Sequence, residues 1–285
     1  MPIDQNAATA SAPRQSKLAW RPDDVLLYHL AVGAGVPPTD AAELRYLTEP
    51  EPLVLPSFAV VAPTLRTATI PSLSWPGLDV DLRKILHGSQ RIEVRRPLPA
   101  AAEAVATDRV AAVHDKGSAA VIVLETAVAG TDGDPLWTAT SRIFARGEGG
   151  FGGERGESVA IRVPERGPDA LFDVSTLPQQ ALLYRLLGDR NPLHSDPAAA
   201  AASGFPRPIL HGLCTYGMVL KGAVAALLGN DPSLVRAYEG VFTGVLFPGE
   251  TVRASAWREG NRIVLAATVP DRADAAVLSA EVTCW

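Results

Sequence analysis

The sequence predicts an α+β fold in which one structural unit occurs twice. Two observations carry this prediction. Each half of the 285-residue chain reads as helices followed by about four strand-like runs, and the tetrapeptide ILHG occurs at the same point of both halves, at 85–88 and 209–212. A helix that is apolar on all sides needs a sheet or other helices around it. We therefore expect each unit to be an antiparallel sheet wrapped around a buried helix.

The first half begins with a helix pattern and continues with strand-like runs. The stretch RPDDVLLYHLAVGAG (21–35) starts with Pro and acids and ends in glycines, which are helix start and stop signals. SWPGLDVDLRKILHG (74–88) predicts a turn and then a short helix that ends at Gly88; its polar character could leave room for a long ligand between the halves. Turn residues at 115–117 and 132–134 separate the following runs, which indicates an antiparallel meander.

The second half repeats this order with a more apolar helix. STLPQQALLYRLLG (175–188) has an apolar stripe at helical spacing. PILHGLCTYGMVLKGAVAALLG (208–229) predicts a helix of about 20 residues that is too apolar for a surface helix. Four strand-like runs between 235 and 285 complete the unit.

Composition changes divide the chain into four segments. The polar start indicates a disordered tail at 1–19, followed by a first unit at 20–146. A glycine-rich linker at 147–160 leads to the second unit at 161–285. The linker contains GEGGFG, which fits a dinucleotide-binding fingerprint formally. The residues that follow are strand-like rather than helical, so we interpret the segment as a flexible linker.

Composition also excludes several classes of function. The chain is 47% hydrophobic with a net charge of −5 and has no run of Lys or Arg, which argues against a nucleic-acid partner. No uninterrupted apolar run of 18 residues predicts a membrane span, and the start lacks the apolar region of a secretory signal. The two cysteines, Cys214 and Cys284, lie far apart in apolar segments, which fits a reducing compartment. We therefore expect a cytoplasmic protein.

The loop DRNPLHSDP (189–197) gathers groups that can hold or move a proton. Pro192 disfavours helix at Asn191, so the chain must turn and the side chains of Asp189 and His194 can point to one side. A carboxylate beside an imidazole is a minimal general acid–base pair. Asn191 could orient a water or a carbonyl.

Helix capping is the alternative interpretation of the acids in this loop. We favour it for Asp196, because Ser-Asp-Pro is typical of a helix start and the cap could also steady His194. For Asp189 and His194 the pattern alone leaves chemistry and capping equally open.

His211 and Gly212 begin the long apolar helix. Its first N–H groups are free and carry the positive end of the helix dipole, and a glycine lets a ligand approach the backbone. The N–H of Gly212 could therefore hold a thioester carbonyl oxygen as negative charge develops on it. Close helix–sheet packing is the alternative reason for this glycine. His211 and Cys214 have metal-like spacing, but no second cluster completes a ligand set, so we expect no metal.

The stretch YRLLGDRNPLHSDPAAAAASGFPRPILHGLCTYG (184–217) resembles the hydratase motif of the MaoC-like, (R)-specific enoyl-CoA hydratases, also called type 2. LHGSQRIEVRRPLP, DKGSAAVIVLET and FPGETVRASAWREGNRI extend the resemblance to the two-module members, from about Trp20 to the end of the chain. The resemblance implies a double hotdog fold. It also implies reversible syn hydration of a trans-2-enoyl-CoA to a (3R)-3-hydroxyacyl-CoA, with an acyl-CoA thioester as substrate and no metal or other cofactor.

The same resemblance implies roles for individual residues. Asp189 and His194 are the catalytic pair, with Asp189 as the base and His194 sharing the proton that returns to C2. Gly212 is the oxyanion donor and Asn191 a positioning group. Contacts to the acyl chain or coenzyme A are implied for His87, Gly88, Lys116, His211 and Phe242. A looser match suggests four outer residues, for which capping or packing is an equal alternative: Tyr28, Asp169, Tyr184 and Asp196.

Other functions stay open at this point. The short first-half helix suggests a hydratase or dehydratase for a carrier-bound or bulky, ring-bearing thioester. Ser89 stands where the family pattern His-Gly-Glu-Gln has an acid, which puts the acyl preference in doubt. A non-catalytic acyl-CoA-binding module is the alternative from another class. The first half lacks the catalytic loop, so we expect one active site in each chain, and a monomer or a homodimer of that chain.

Overall fold

One antiparallel sheet of ten strands organises the protein. The computed structural model describes residues 3–70, 73–80 and 84–285. The strands of the first half are β1 (Arg14–Trp20), β2 (Ser74–Trp75), β3 (Leu78–Asp79), β4 (Ile85–Val94), β5 (Ala102–Asp115), β6 (Ala119–Gly130) and β7 (Pro135–Arg146). Those of the second half are β8 (Ala170–Ser175), β9 (Val235–Phe242), β10 (Thr251–Glu259), β11 (Arg262–Val269) and β12 (Ala275–Cys284).

The helices are short except for one. They are α1 (Gln5–Thr9), α2 (Pro22–Ala31), α3 (Ala41–Leu44), α4 (Gln180–Tyr184), α5 (Pro197–Ala202) and α6 (Gly212–Leu227). Single 3₁₀ turns occur at Pro56–Val60, Ala62–Thr64, Arg185–Leu187, Pro192–His194, Pro232–Leu234 and Pro270–Arg272. Two features predicted from sequence, the strand series of each half and the long apolar helix, are therefore present.

The two halves are joined edge to edge. The strand order in the sheet is β1-β5-β6-β7-β4-β9-β12-β11-β10-β8, so β4 of the first half lies beside β9 of the second. These two strands are antiparallel, and Ser89 pairs with Val241 and Glu93 with Ala237. The two sheets predicted from sequence are thus one continuous sheet, and the β4–β9 pairing fixes the position of one half relative to the other.

The helix α6 forms the centre of the second half. Nine of its residues are buried, among them Tyr216, which packs against Tyr238 of β9. The hydroxyl of Tyr216 donates to the carbonyl of Tyr238 (2.8 Å), and the hydroxyl of Tyr238 donates to the carbonyl of Tyr216 (3.1 Å). At Gly217 a Cβ atom would lie 2.5 Å from the hydroxyl oxygen of Tyr28, so only glycine lets the helix and that side chain approach each other.

The short helix predicted within 74–88 is wrong. Residues 85–88 belong to β4, while 209–212 lead into α6, so the two copies of ILHG are not structurally equivalent. Residues 81–83 of the predicted helix lie outside the described residues. The ladders that β4 forms with both β7 and β9 override the local helix pattern. The 3₁₀ turn Pro56–Val60, with Phe58 fully buried, packs against α6, β4, β7 and β9 instead.

The disordered tail predicted for residues 1–19 is also wrong for residues 3–19, while residues 1–2 lie outside the described residues. Strand β1 pairs with β5 along the edge of the sheet, and Leu18 and Trp20 enter the main core. The indole N–H of Trp20 donates to the carbonyl of Pro99 (2.9 Å), and its ring packs against Trp137 with centroids 5.7 Å apart. The polar composition of this segment is misleading because β1 is an edge strand whose buried residues lie at its end.

The glycine-rich segment after β7 is irregular, but it is attached to the β5–β6 turn. The carboxylate of Asp115 accepts hydrogen bonds from the backbone N–H groups of Gly117, Gly150 and Gly152 at 2.8, 2.9 and 2.7 Å. The ammonium group of Lys116 donates to the carbonyl of Gly156 (3.1 Å). The structure therefore gives both acid and base of this turn a role in holding the segment.

Replacing Trp20 with Ala should lower the free energy of unfolding by about 3–5 kcal/mol, because a large side chain is removed from the core. Gln15→Ala is the matched control. Gln15 lies on the same strand, is exposed and makes one long hydrogen bond to Thr107 (3.4 Å), so its loss should change stability by less than about 0.5 kcal/mol. Equal unfolding curves in urea for both variants would show that the N-terminal strand is not part of the core.

Candidate active site

A cavity of about 510 Å³ lies where the two halves meet. Its first-half wall is formed by β4 and β7, and its second-half wall by the 189–194 loop, the start of α6 and residues 242–246. Most of the surface that lines it is apolar. Polar groups therefore occur in this cavity at a few defined places, as in most small-molecule sites.

The 189–194 loop is built by a glycine and two side-chain caps. Gly188 has φ of 119°, and a Cβ atom there would clash with the carbonyl of Thr64, so the chain can turn here only with glycine. The carboxylate of Asp189 accepts from the N–H of Asn191 (3.0 Å). The amide oxygen of Asn191 accepts from the N–H of Leu193 (3.1 Å) and caps the 3₁₀ turn that carries His194. Asn191 thus positions the turn.

The imidazole of His194 is buried and has a defined hydrogen-bond partner. Its Nδ1 lies 2.9 Å from the carbonyl of Ile209, which can only accept, so Nδ1 carries the proton in the neutral ring. Nε2 is then the basic nitrogen. Burial lowers the pKa of His194 below its usual value, while the nearby carboxylate of Asp189 and the Ile209 carbonyl act in the opposite direction.

His211 lies directly against His194. The two rings are stacked with centroids 3.8 Å apart, and Tyr184 packs on His211 at 4.9 Å. The Nε2 of His211 lies 3.4 Å from the backbone carbonyl of Asp189, and Nδ1 is buried without a partner among the described residues. Burial and the neighbouring His194 hold the pKa of His211 well below its usual value.

Gly212 is the first residue of α6, and no side chain caps that end of the helix. The first N–H groups of a helix have no acceptor within the helix and carry the positive end of its dipole. A Cβ atom at Gly212 would lie 3.2 Å from the ring of Phe242, which is tighter than usual contact. The glycine thus keeps its N–H accessible beside an aromatic wall.

His87 and Gly88 reach the cavity from the other half. The ring of His87 packs on Phe242 with centroids 5.1 Å apart, and its Nε2–H donates to the carbonyl of Ser89 (3.1 Å). Burial lowers the pKa of His87 to about 4. Gly88 lies at an irregularity of the β4–β7 ladder, next to the cavity.

Five residues proposed from sequence do not line the cavity, and one of them is Tyr184, which packs on His211. Tyr28 is a core residue whose hydroxyl donates to Ser57 (2.7 Å). Asp169 forms a surface ion pair with Arg166 (2.7 Å). Asp196 caps α5, as the alternative interpretation holds. Lys116, as described above, contacts the glycine-rich segment.

Most of the apolar residues that line the cavity are missed by reading the sequence, among them two residues of β7. Ile143 and Phe144 of β7 line the first-half wall. Neither has a motif around it, because an apolar residue on a strand becomes part of a cavity only through sheet register. Tyr184 packs against His211 from outside the cavity, and its role as an outer residue of the site stays a prediction.

One atom that can ligate a metal from each of Asp189, His194 and His211 lies within 4.8 Å of the other two. This is close enough to ask whether the three residues hold a metal ion. The lone pairs of an imidazole lie in its ring plane. The rings of His194 and His211 are stacked with 28° between their planes, so their lone pairs do not converge on a common point. This geometry fits acid–base chemistry better than metal binding.

Comparison with known proteins identifies both halves. The family model for the MFE-2 hydratase 2 N-terminal domain matches residues 19–147, and the model for the MaoC like domain matches residues 160–276. An enoyl-CoA hydratase of Mycobacterium tuberculosis, ChsH3, is 50% identical over 98% of this chain and 98% of its own length. The chain belongs to the MaoC-like hydratase 2 family.

Solved structures confirm the fold for this family member. A MaoC-like dehydratase from Phytophthora capsici superposes with a TM-score of 0.89 at 28% identity, covering 99% of this chain and 98% of that one. A Mycobacterium tuberculosis protein described as a double hotdog fold superposes with a TM-score of 0.59 at 15% identity, covering 96% of each chain. The predicted double hotdog is therefore confirmed. In the described part of the chain, no helix has the length and apolar character that a membrane span requires.

The cavity makes stability depend on pH. Because the pKa of His87 in the folded protein is about 4, below the usual value of about 6.5, folding favours the neutral imidazole. The stabilisation is present above about pH 6.5 and is lost as the pH falls toward 4. The free energy of unfolding should decrease over this range, and His87→Gln should make that decrease shallower. Urea unfolding at several pH values tests this expectation. It would be contradicted if the free energy of unfolding of the wild type and of His87→Gln depended on pH in the same way.

Proposed function

We propose that this protein hydrates trans-2-enoyl-CoA reversibly to (3R)-3-hydroxyacyl-CoA. The observation that carries the proposal is the meeting of three groups at one cavity: the carboxylate of Asp189, the imidazole of His194 and the helix start at Gly212. Membership of a hydro-lyase family supports it, and so does the similarity to an enoyl-CoA hydratase along nearly the whole chain.

The carboxylate and the imidazole act on one water. Asp189 takes a proton from the water as the water oxygen attacks C3. The same proton passes through the Nε2 of His194 to C2, so both residues end in their starting protonation states. The water oxygen forms the new C3–O bond, the former double-bond electrons form the C2–H bond, and no other reactant is needed. The tautomer of His194 suits this role, since its Nδ1–H is engaged by Ile209 and its Nε2 is left for the water.

Negative charge on the thioester oxygen is stabilised at the start of α6. Addition at C3 moves electrons toward the carbonyl, so an enolate-like oxygen develops. The N–H of Gly212 and the helix dipole supply a preorganised donor for this charge in an apolar cavity. Phe242 and His87 form a wall for the adjoining acyl or pantetheine part.

A bulky, ring-bearing or carrier-bound thioester is a second candidate substrate. Among the described residues, those that line the first-half side of the cavity belong to the strands β4 and β7, and none of them belongs to a helix. Hydration kinetics on a panel of acyl lengths, ring-bearing acyl groups and carriers distinguish this candidate from a linear enoyl-CoA. A cytoplasmic location remains part of the proposal.

Asp189→Asn and His194→Ala should each lower kcat by at least about 10²-fold, because each removes one partner of the proton transfer. Folding should persist, which circular dichroism and the unfolding midpoint check. Asp196→Asn is the control, since this side chain caps α5 and does not line the cavity. If both site variants turned over every enoyl-CoA tested at near wild-type rates, the assignment of the pair would be wrong.

Gly212→Ala should lower kcat/KM by about 10-fold or more, although it keeps the backbone N–H. The added methyl group meets the ring of Phe242 and moves the substrate carbonyl away from the donor. Gly167→Ala serves as control, because nothing lies within 4 Å of a Cβ atom there. Unchanged kinetics for the Gly212 variant would mean that no ligand approaches the start of α6 closely.

A further inference from the structure

His211 contacts both members of the catalytic pair. Its ring stacks on His194 at 3.8 Å, and its Nε2 lies 3.4 Å from the backbone carbonyl of Asp189. It also stands immediately before Gly212, so the residue adjoins the oxyanion donor. The side chain of His211 therefore contacts both members of the proposed pair, and its backbone leads directly into the proposed oxyanion donor.

The burial of His211 has a cost that packing alone does not explain. The residue is 1% exposed, and its Nδ1 has no hydrogen-bond partner in the part of the chain that the structure describes. A buried polar atom without a hydrogen-bond partner destabilises the folded state. A phenylalanine would fill a similar volume between Tyr184 and His194 without that cost. An imidazole at this place is therefore better explained by what it does for its neighbours.

We propose that His211 is a positioning residue of the hydration reaction: its ring holds the imidazole of His194 by stacking, and its Nε2–H holds the Asp189 loop, so that both groups face the same water. This proposal rests on the proposed function. It differs from the substrate contact that the family resemblance implies, because His211 acts here through the catalytic pair and not on the ligand.

The charges around the stacked pair suit this role. The Asp189 carboxylate is near His194, the guanidinium of Arg185 and the ring of Tyr184 lie around His211, and His87 faces the cavity from the other half. Two stacked imidazolium ions would repel each other strongly in a buried site. Burial and His194 both lower the pKa of His211, so His211 stays neutral and keeps its Nε2–H while His194 accepts a proton.

Two substitutions separate the two contacts. His211→Phe keeps a ring for stacking but loses the N–H donor, and we expect kcat to fall about 10-fold with KM changed less than about 3-fold. His211→Ala loses both contacts, and we expect kcat to fall by about 10² with a similarly small change in KM. Tyr46→Phe is the control. It also removes a buried polar atom that has no partner among the described residues, but it lies outside the cavity.

A second measurement reads positioning without turnover. The measurement is NMR of protein whose histidines are labelled with ¹⁵N. In the wild-type protein His194 should appear as a single Nδ1–H tautomer, because the carbonyl of Ile209 accepts a hydrogen bond from that N–H. In His211→Ala this signal should become a mixture of tautomers or exchange rapidly, whereas Tyr46→Phe should leave it unchanged. His194→Gln identifies the signal.

The outcomes are distinct. A graded fall in kcat together with a changed His194 signal supports the proposal. A raised KM with unchanged kcat would instead make His211 a substrate contact. Unchanged kcat with an unchanged His194 signal would show that the residue only fills space. Either result overturns the proposal. If wild-type protein hydrated no enoyl-CoA while the His194 signal still responded to His211→Ala, the proposed function would fail and the positioning contact would stand.

Discussion

The pairing of β4 with β9 is the constraint on which the site depends. This pairing joins the two half-sheets into one sheet and sets Ser89 opposite Val241. The register fixes where β4 lies relative to β9. His87 from β4 and Phe242 from β9 consequently face each other across 5.1 Å. Each hydrogen bond of this ladder joins one half to the other, and the cavity is lined by residues of both halves. Neither half alone would form it.

In the proposed reaction the second half supplies the chemical groups and the first half supplies a wall of the cavity. The proposed acid–base pair lies on a loop whose shape is set by Gly188 and the Asn191 cap, and the proposed oxyanion donor lies at the start of α6. His211 lies between the two. Apolar surroundings strengthen the interactions of the few polar groups present, because little water competes with them. In the proposed reaction the imidazole of His194 accepts a proton beside the Asp189 carboxylate, while His211 stays neutral.

Local sequence signals predicted the second half more completely than the first. The strand runs, α6 and the loop that carries Asp189 and His194 follow from periodicity and turn residues, which act over a few positions. In their described residues, the helix predicted in 74–88 and the tail predicted at 1–19 were wrong because long-range pairing decides both segments. Strand β4 lies between two strands, and β1 forms an edge of the sheet. Ile143, Phe144 and the His194–His211 stack depend on register and packing, which a single sequence does not encode locally.

The configuration at C3 of the product tests the central claim most directly. The wild-type protein can be incubated with crotonyl-CoA in deuterated water. The configuration of the product, 3-hydroxybutyryl-CoA, is then determined at C3 and at the deuterated C2. We predict (3R) product with the hydroxyl and the deuterium added to the same face, because one cavity wall carries both Asp189 and His194. A (3S) product, or addition to opposite faces, would contradict the account.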